Sequence, residues 1–582
     1  MPHRQHTGLS RLLPYALERK GQLAGIALVA ALSAAAPVVG WHLVEDAIDN
    51  GIEAADERRL TLAVIGYVAV NAAAWAFGTI AWRGLASIGQ RIVLELRRDL
   101  FQHLTSLSLR YFSQQKAGWI ISRLTSDVDA LSDVLNQGVT TLVVNSLTFV
   151  AAIAGLFLLD WRLGLVALCV VPPGFVLTRW FHRVSHVAAS EVRTRIAIVT
   201  AQLAESVAGM AVIQAFNRER AFQAEFDGLN EDNRLANVRV QKIYSVFFPA
   251  IELLGAIATV AVLFAGAWLI DAGSLEVGTL IAAVGLLALV FQPLQELSEL
   301  YGQVQAASAA MDKISSVLDA EIDVADKPGA RRLGRIDGGL ELDRVTFAYG
   351  SEPVLHELEL SVPPGGCIAL VGESGGGKST TAKLIARFYD PDEGAVRVDG
   401  TDLRDVELVG YRRQLGVVLQ DPFLFSGTIA DNIRFGKPDA SDEEVRATAA
   451  AVGVDRVAAR LDHGLDHVVR EGGAGLSAGE RQLISIARAL LADPRILILD
   501  EATSNIDRPT EILIERAFDR LLAGRTSIII AHRLATVRRA DEILVLEHGR
   551  IVQRGTEHEL MAQAGPFRRL AHTFVVDTLP AA

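Results

Sequence analysis

The 582-residue sequence predicts two structural classes in one chain, an α-helical membrane domain with six transmembrane helices followed by a soluble α/β domain. Hydrophobic residues make up 50% and charged residues 21% at a mean hydropathy of +0.29, so the charges must be separated from the apolar runs. Six uncharged stretches lie in the first half. In the second half, short β-rich runs alternate with helical stretches, as in α/β proteins with a largely parallel sheet.

The net charge and the cysteine content argue against a nucleic-acid partner and against sites built from several cysteines. The net charge of −12 argues against a nucleic-acid partner bound by bulk electrostatics. Cys169 and Cys367 are the two cysteines, and they lie in an apolar and a polar half of the chain respectively. We therefore expect neither a structural disulfide nor a cysteine-rich metal site.

The six uncharged stretches are predicted to cross a membrane, which takes about 20 apolar residues per helix. The fourth is short and contains Pro172 and Pro173, but Trp161 and Trp180 can extend it as interfacial aromatic residues. Buried soluble helices are the alternative, and six long runs with the charges expelled to the gaps disfavour it. The stretches span residues 21–44, 60–82, 134–159, 163–178, 253–270 and 277–295.

The gaps between the stretches predict the orientation. The gap 45–59 carries six acidic and two basic residues, whereas the gaps 83–133 and 179–242 carry seven and nine Lys or Arg. By the positive-inside rule, both termini and both long gaps are cytoplasmic. The long gaps have helical periodicity, so we expect the transmembrane helices to continue into the cytosol. The Ala- and Arg-rich composition suggests a GC-rich bacterial genome, so the membrane is expected to be a bacterial inner (cell) membrane.

A polar, Gly- and Pro-containing segment separates the two halves. The predicted domains are a membrane domain at 1–316, a linker at 317–337 and a soluble α/β domain at 338–582.

A phosphate-binding loop with complete spacing follows the strand predicted at 367–371. Its glycines let backbone N–H groups point at phosphate oxygens. Lys378 supplies a charge for the β- and γ-phosphates, Ser379 a hydroxyl for Mg²⁺, and the next helix its positive end. The residues assigned to ATP are Gly372, Glu373, Ser374, Gly375, Gly376, Gly377, Lys378, Ser379 and Thr380.

A second strand, predicted at 496–499, ends in Asp500 and Glu501. Asp500 is predicted to hold Mg²⁺, directly or through water, and Glu501 to polarise the attacking water as the catalytic carboxylate. The alternative is that the acidic pair merely ends a strand. With the loop, the pair predicts an α/β P-loop ATPase domain.

The resemblance to a known family rests on a motif 18 residues before Asp500 (counted from Gln482). It resembles the signature motif of ATP-binding cassette (ABC) proteins and reads Leu476-Ser477-Ala478-Gly479-Glu480-Arg481-Gln482. The resemblance implies that Tyr349 stacks on adenine and that Gln420 lies between the γ-phosphate, the metal and the membrane domain. It also implies that Asp507 belongs to the D-loop and that His532 is a catalytic switch histidine.

The resemblance covers nearly the whole chain and is to ABC exporter half-transporters. Segments 98–104 and 122–129 are similar to the family's first intracellular loop and 205–219 to its second, each with a short coupling helix. The family's geometry implies an obligate dimer in which Ser477, Gly479 and Asp507 serve ATP bound to the second chain.

Departures from the family pattern bear on the partner. Ala478 and Glu480 replace the commoner Gly and Gln of the signature, Asn505 and Ile506 replace Ala and Leu in the D-loop, and Gly472 replaces Arg. None removes a catalytic group. They favour a heterodimer with a related half-transporter, with a homodimer as the alternative.

Polar residues near the inner ends of the fifth and sixth stretches are candidates for the substrate path. We favour pairing within the bundle or contact with water over substrate binding for them. Asn71 and Asn145 are expected to form interhelical hydrogen bonds. The candidates are Glu252, Gln292, Gln295, Glu296 and Glu299.

The function predicted is ATP-driven export or flipping of amphipathic or hydrophobic molecules, drugs or lipids. An importer of a siderophore-like compound on the same fold, or an ATP-gated channel or regulator, are the alternatives, because fold does not fix direction. A channel would tolerate loss of Glu501 or His532, and both are present.

Overall fold

The computed structural model describes residues 8–500, 506–531 and 533–576. The described residues form two compact units. The membrane unit contains 8–105 and 117–320, and the C-terminal unit contains 106–116 together with the described residues from 321 onward. The second unit thus begins inside the predicted linker and includes a segment from the first long gap.

Long helices dominate the membrane unit. Turns of π-helix at Ala47–Glu53, Arg123–Asp127 and Val134–Gly138 link several of them. The helices up to residue 320 are α1 (Leu13–Leu17), α2 (Lys20–Asp46), α3 (Glu57–Ser106), α4 (Leu109–Gln114), α5 (Ala117–Ser122), α6 (Val128–Asp133), α7 (Val139–Leu159), α8 (Trp161–Leu168), α9 (Val171–Ala208), α10 (Met210–Ala215), α11 (Glu219–Asp271) and α12 (Val277–Leu318).

Among the described residues, five helical stretches are long and apolar enough to cross a membrane. The sixth predicted stretch forms the start of α12, where the apolar part Val277–Pro293 is shorter than the roughly 20 residues that a full span needs. The helical membrane domain is confirmed, and the count of six spans stays a prediction. The five stretches are Lys20–Glu53, Glu57–Ser106, Ala117–Leu159, Trp161–Ala208 and Glu219–Asp271.

The helices extend well beyond a bilayer, as the periodicity of the long gaps predicts. α3 has 50 residues and α11 has 53, so each is about 75–80 Å long, against about 30 Å of hydrocarbon core. The short helices α4 and α10 lie in the two long gaps, where the coupling helices are predicted.

Carboxylates of α2 and its π-helical continuation cap the N-terminus of α12. The Gly278 N–H donates to Asp49 Oδ1 at 2.6 Å, and the Thr279 hydroxyl donates to Glu45 Oε1 at 2.7 Å. The first turn of α12 has unpaired N–H groups and a partial positive charge, which these carboxylates satisfy. The acidic gap after the first stretch thus joins the first and last membrane helices.

The C-terminal unit contains an α/β domain with three sheets. Its strands are β1 (Leu340–Ala348), β2 (Pro353–Val362), β3 (Cys367–Val371), β4 (Glu393–Val398), β5 (Thr401–Asp402), β6 (Leu415–Val418), β7 (Gly427–Thr428), β8 (Val468–Val469), β9 (Ile496–Asp500), β10 (Thr526–Ile530), β11 (Glu542–Glu547) and β12 (Arg550–Gly555). Its further helices are α13 (Lys378–Ile385), α14 (Leu408–Arg412), α15 (Ile429–Arg434), α16 (Asp442–Val452), α17 (Val454–Ala458), α18 (Ala478–Leu491), α19 (Arg508–Leu522), α20 (Leu534–Val537), α21 (Glu557–Ala562) and α22 (Pro566–Val576).

The main sheet has the order β12-β11-β3-β10-β9-β6 and is parallel except for β12. Alternate residues of β3 enter different cores: Ile368 and Leu370 one, Ala369 and Val371 the other. A parallel sheet that is covered on both faces has this pattern. The prediction of an α/β domain with a largely parallel sheet is confirmed.

Candidate functional site

Four neighbouring parallel strands end at one edge of the main sheet. Leu370 of β3 pairs with Ile530 of β10, which in turn pairs with Asp500 of β9, and Val418 of β6 pairs with Leu499. The phosphate-binding loop after β3, Asp500 at the end of β9 and Gln420 two residues after β6 therefore share this edge. Ligands of α/β proteins bind at the carboxyl ends of parallel strands.

Close packing explains two glycines of the phosphate-binding loop. Gly372 has φ +149°, and a Cβ there would lie 2.1 Å from the carbonyl oxygen of Leu546. Gly377 has φ +99°, and its Cβ would lie 2.6 Å from Leu355 Cδ2. A side chain fits at neither position, so glycine lets the loop turn its backbone towards the edge. Glu373 and Ser374 are exposed at its tip.

Lys378 lies inside the phosphate-binding loop. Its Nζ donates to the carbonyl oxygens of Gly372 and Glu373, each at 2.8 Å, and the residue is 6% exposed. Burial lowers the pKa of Lys378, and the negative charge of Asp500 acts in the opposite direction. The ammonium is thus held at the mouth of the loop by backbone dipoles that phosphate oxygens can replace.

Tyr349 is fixed by an aromatic cluster beside the loop. Its ring centroid lies 5.0 Å from that of Phe347 and 5.3 Å from that of Tyr389, both edge-to-face. Its hydroxyl donates to Thr380 Oγ1 at 3.3 Å. Lys383 Nζ lies 5.5 Å from the Tyr349 ring centroid, within cation–π range. The structure therefore brings the predicted adenine-stacking residue next to the phosphate-binding loop.

The predicted metal ligands fit Mg²⁺ by donor chemistry. Ser379 is exposed at the start of α13, Gln420 is exposed in the loop after β6, and Asp500 ends β9. Hydroxyl, amide and carboxylate oxygens are ligands that Mg²⁺ accepts. The described part of the chain has no group of three or more His, Cys, Asp or Glu placed to hold a metal.

Glu501 and His532 lie outside the described residues. They come directly after Asp500 and Ala531, at the sequence ends of β9 and β10. Their catalytic roles stay predictions.

The signature motif forms the start of α18. Ser477 is the N-cap: its hydroxyl accepts from the Glu480 N–H at 3.2 Å, and Glu480 Oε2 accepts from the Ser477 N–H at 2.9 Å. Glu480 also pairs with Arg460 at 3.2 Å. A Cβ on Gly479 would lie 2.5 Å from Thr510 Cγ2, so the glycine permits close packing on α19. Glu480 thus completes a capping box, as the commoner Gln would.

Asp507 caps the next helix. Its carboxylate accepts from the Thr510 N–H at 3.1 Å and from the Thr510 hydroxyl at 2.9 Å, and these bonds lower the pKa of Asp507. In one chain Asp507 is therefore a helix cap, and its predicted contact with a second chain's nucleotide stays a prediction.

Sequence reasoning missed two arginines that connect parts of the site. Arg110 of α4 lies 5.9 Å from the ring centroid of Phe347 and 6.0 Å from that of Tyr389. Arg488 of α18 donates to the Phe423 carbonyl, in the loop after Gln420. Burial lowers the pKa of Arg488. Neither arginine belongs to a motif, so only the fold could reveal these contacts.

The polar candidates of the membrane unit have different surroundings. Glu296 accepts from Asn145 of α7 at 2.7 Å and from Gln292 at 3.1 Å, which confirms pairing within the bundle and the interhelical bond of Asn145. Asn71 donates instead to the Tyr67 carbonyl one turn earlier in its own helix, so the interhelical bond expected of it is wrong. Glu252 is exposed. The side chains of Gln295 and Glu299 lie outside the described part of the chain.

Comparisons with known proteins cover both units. Residues 23–294 match the family model described as ABC transporter transmembrane region, and residues 355–504 match the model described as ABC transporter. The chain is 36% identical to the "ATP-dependent lipid A-core flippase" of Syntrophus aciditrophicus, over 84% of this chain and 81% of that protein. It is also 36% identical to the "Multidrug efflux ATP-binding/permease protein" of Mycobacterium bovis, over 98% of this chain and 48% of that protein.

A solved structure matches over almost the full length. It is described as "Structure of a bacterial Atm1-family ABC exporter with ATP bound", with a TM-score of 0.79 and 26% identity. The match covers 97% of this chain and 99% of that one.

Proposed function

The chain belongs to the ABC transporter family, and we propose that it is one half of an ATP-hydrolysing exporter that moves or flips amphipathic or hydrophobic molecules. The observation that carries the proposal is the shared sheet edge of Lys378, Asp500 and Gln420 in a chain that also contains the membrane unit. The names of two relatives, a lipid flippase and a multidrug efflux protein, support lipids or drugs as substrates.

Each residue has a proposed task in ATP hydrolysis. Lys378 and the backbone of the phosphate-binding loop bind the phosphates, and Tyr349 stacks on adenine. Ser379, Gln420 and Asp500 would hold Mg²⁺, which supplies charge neutralisation at the phosphates. Glu501 polarises the attacking water, and His532 contacts the γ-phosphate.

The assembly proposed is a dimer in which the sites are shared. The N-terminus of α18 offers N–H groups and a helix dipole to an anion, and Ser477 and Gly479 lie there. We propose that this end, with Asp507, binds the γ-phosphate of ATP held by a second chain. ATP then joins the two ATPase units, and hydrolysis releases them, which drives alternating access of the membrane helices.

The partner is a second half-transporter, identical or related. The departures at Ala478 and Glu480 favour a related partner, but the capping box leaves the α18 N-terminus intact, so a second copy of this chain can also fill the position. Purifying the chain expressed alone, with its mass in nanodiscs and its ATPase rate, distinguishes the two. A two-copy assembly with ATPase activity indicates a homodimer, and an inactive monomer that a second half-transporter rescues indicates a heterodimer.

Transport into sealed vesicles tests the function and its direction. In inside-out vesicles the ATPase faces the medium if the termini are cytoplasmic, as the basic gaps predict. We expect ATP-dependent accumulation of labelled lipids or drugs in the lumen. Depletion of a preloaded siderophore would indicate import, and passive flow gated by ATP would indicate a channel. Accumulation without ATP would contradict the proposal.

A further inference from the structure

A cavity of about 680 Å³ lies in the membrane unit. It is lined by α9 between Phe175 and Val187 and by Gln305 of α12. Cavities of 300–1,000 Å³ are the usual size of small-ligand sites. This one therefore has room for a headgroup and part of an apolar tail.

Four basic side chains of α9 line this cavity. They are Arg179, His182, Arg183 and His186. Their spacing of three and four residues places them along one helix face. They present two guanidinium groups and two imidazoles to the same space.

The two arginines have no carboxylate partner within 4 Å among the described residues. Further along α9, charged side chains form ion pairs with α11: Arg195 pairs with Asp232 at 2.9 Å, and Glu191 pairs with Arg239. Among the described residues, no carboxylate neutralises Arg179 and Arg183 in this way. An anion is the complement that these two arginines lack.

The position of the cavity selects an amphiphile over a small soluble anion. The apolar fourth stretch ends at Thr178, and Phe175 lines the cavity one turn earlier with 62% of its surface exposed. The wall is thus apolar on the membrane side and cationic below it. Arginines that merely reach from a membrane edge to water need no cavity.

We propose that this cavity binds an amphiphile with a phosphate or carboxylate headgroup, the headgroup at Arg179 and Arg183 and the tail along Phe175. The role of the cavity as a substrate site rests on the proposed function. Binding itself requires no ATP hydrolysis and is tested without ATP.

The test is binding of dioleoylphosphatidic acid to the full-length chain in detergent, measured by native mass spectrometry. Dioleoylphosphatidylcholine is the zwitterionic comparison. The double variant Arg179→Gln/Arg183→Gln should bind phosphatidic acid about tenfold more weakly or worse, since it loses two charge-assisted contacts.

Matched controls exclude an effect of total charge or misfolding. Arg220→Gln removes one exposed charge of α11 and should bind like wild type. Arg179→Lys/Arg183→Lys keeps both charges and should retain most of the binding. Should the double glutamine variant fail to fold, the single variants Arg179→Gln and Arg183→Gln, each expected to bind phosphatidic acid more weakly than wild type, still test the site.

Several outcomes would overturn the proposal. They are equal binding of both lipids, an equal loss in Arg220→Gln, or phosphatidic acid binding that survives in the folded double variant. If inorganic phosphate at equal concentration displaced the lipid, the ligand of the cavity would be a soluble anion and not an amphiphile. Selective phosphatidic acid binding by a chain without ATPase activity would contradict the proposed function and leave this inference standing.

Discussion

The nucleotide edge and the membrane cavity hold their charged side chains in opposite ways. At the edge, the Lys378 ammonium donates to two backbone carbonyls, and at the signature helix Glu480 pairs with Arg460. In the cavity, Arg179 and Arg183 have no carboxylate partner within 4 Å among the described residues. A binding site whose charged side chains are fixed by neighbouring protein groups suits one particular ligand. Unpaired charged side chains beside an apolar wall suit a whole class of ligands.

The largest effect expected at the nucleotide edge is that of Glu501→Gln. The amide keeps the size of the side chain and removes the charge that polarises water. We expect ATP hydrolysis to fall about 10²–10⁴-fold while ATP binding is retained. Measuring turnover and ATP affinity on the same preparation separates the two, and turnover equal to wild type would remove Glu501 from the mechanism. His532→Ala is likewise expected to lower ATP hydrolysis while ATP binding is retained.

Lys378→Ala should act on binding itself. The substitution removes the charge held by the carbonyls of Gly372 and Glu373, and a charged hydrogen bond contributes about 1.5–3 kcal/mol. ATP affinity should therefore fall about 10- to 100-fold. Lys437→Ala, which removes an exposed lysine paired with Glu444, is the matched control. Unchanged affinity in Lys378→Ala would contradict the assignment of the loop.

Arg110→Ala tests whether the segment 106–116 influences the nucleotide site. The guanidinium lies over Phe347 and Tyr389, which hold Tyr349. Loss of contacts worth about 0.5–1 kcal/mol should raise KM for ATP about two- to fivefold at unchanged kcat. Arg97→Ala, at an exposed arginine paired with Asp129, should change neither. A lower kcat at unchanged KM would show that Arg110 does not act through Tyr349.

The smallest effect expected is that of Glu480→Gln. The amide keeps the capping box and removes a negative charge from the end of α18 that is proposed to face phosphate. A charge at a helix terminus contributes about 0.3–1 kcal/mol, so KM for ATP should fall by a factor between about 1.7 and 5. Glu444→Gln, in the same kind of capping box on α16, is the control. Equal shifts in both variants would show a general charge effect.

The two regions also differ in how far the sequence predicts them. The phosphate-binding loop and the signature motif are each a contiguous stretch of sequence, so spacing alone predicts them, and the register of β3, β10 and β9 then brings the loop and Asp500 to one sheet edge. Arg110 could not be predicted, because its contact depends on a helix from the first gap joining the C-terminal unit. The α9 cavity could not be predicted either, since basic residues near a membrane edge are ordinary in sequence and only the cavity distinguishes them.

Polar residues within the membrane helices show the same limit. Asn71 and Asn145 look alike in sequence, yet Asn71 bonds its own helix and Asn145 bonds Glu296 on another. Whether such an asparagine bonds its own helix or another one depends on how the helix is rotated about its axis. The apolar composition of the sequence does not specify that rotation.

The central claim, that each ATP site is shared between two chains, is tested most directly by complementation. In a Glu501→Gln background, Lys378→Ala and Ser477→Arg chains carry different tags, and ATP retained by the complex is measured for each chain alone and for the co-expressed pair. Each variant alone should retain no ATP, because every site lacks either its loop or its signature. The co-expressed pair should retain half as much ATP as the unmutated background, because one site combines an intact loop with an intact signature. No ATP retained by the pair, when the unmutated background retains it, would contradict the claim.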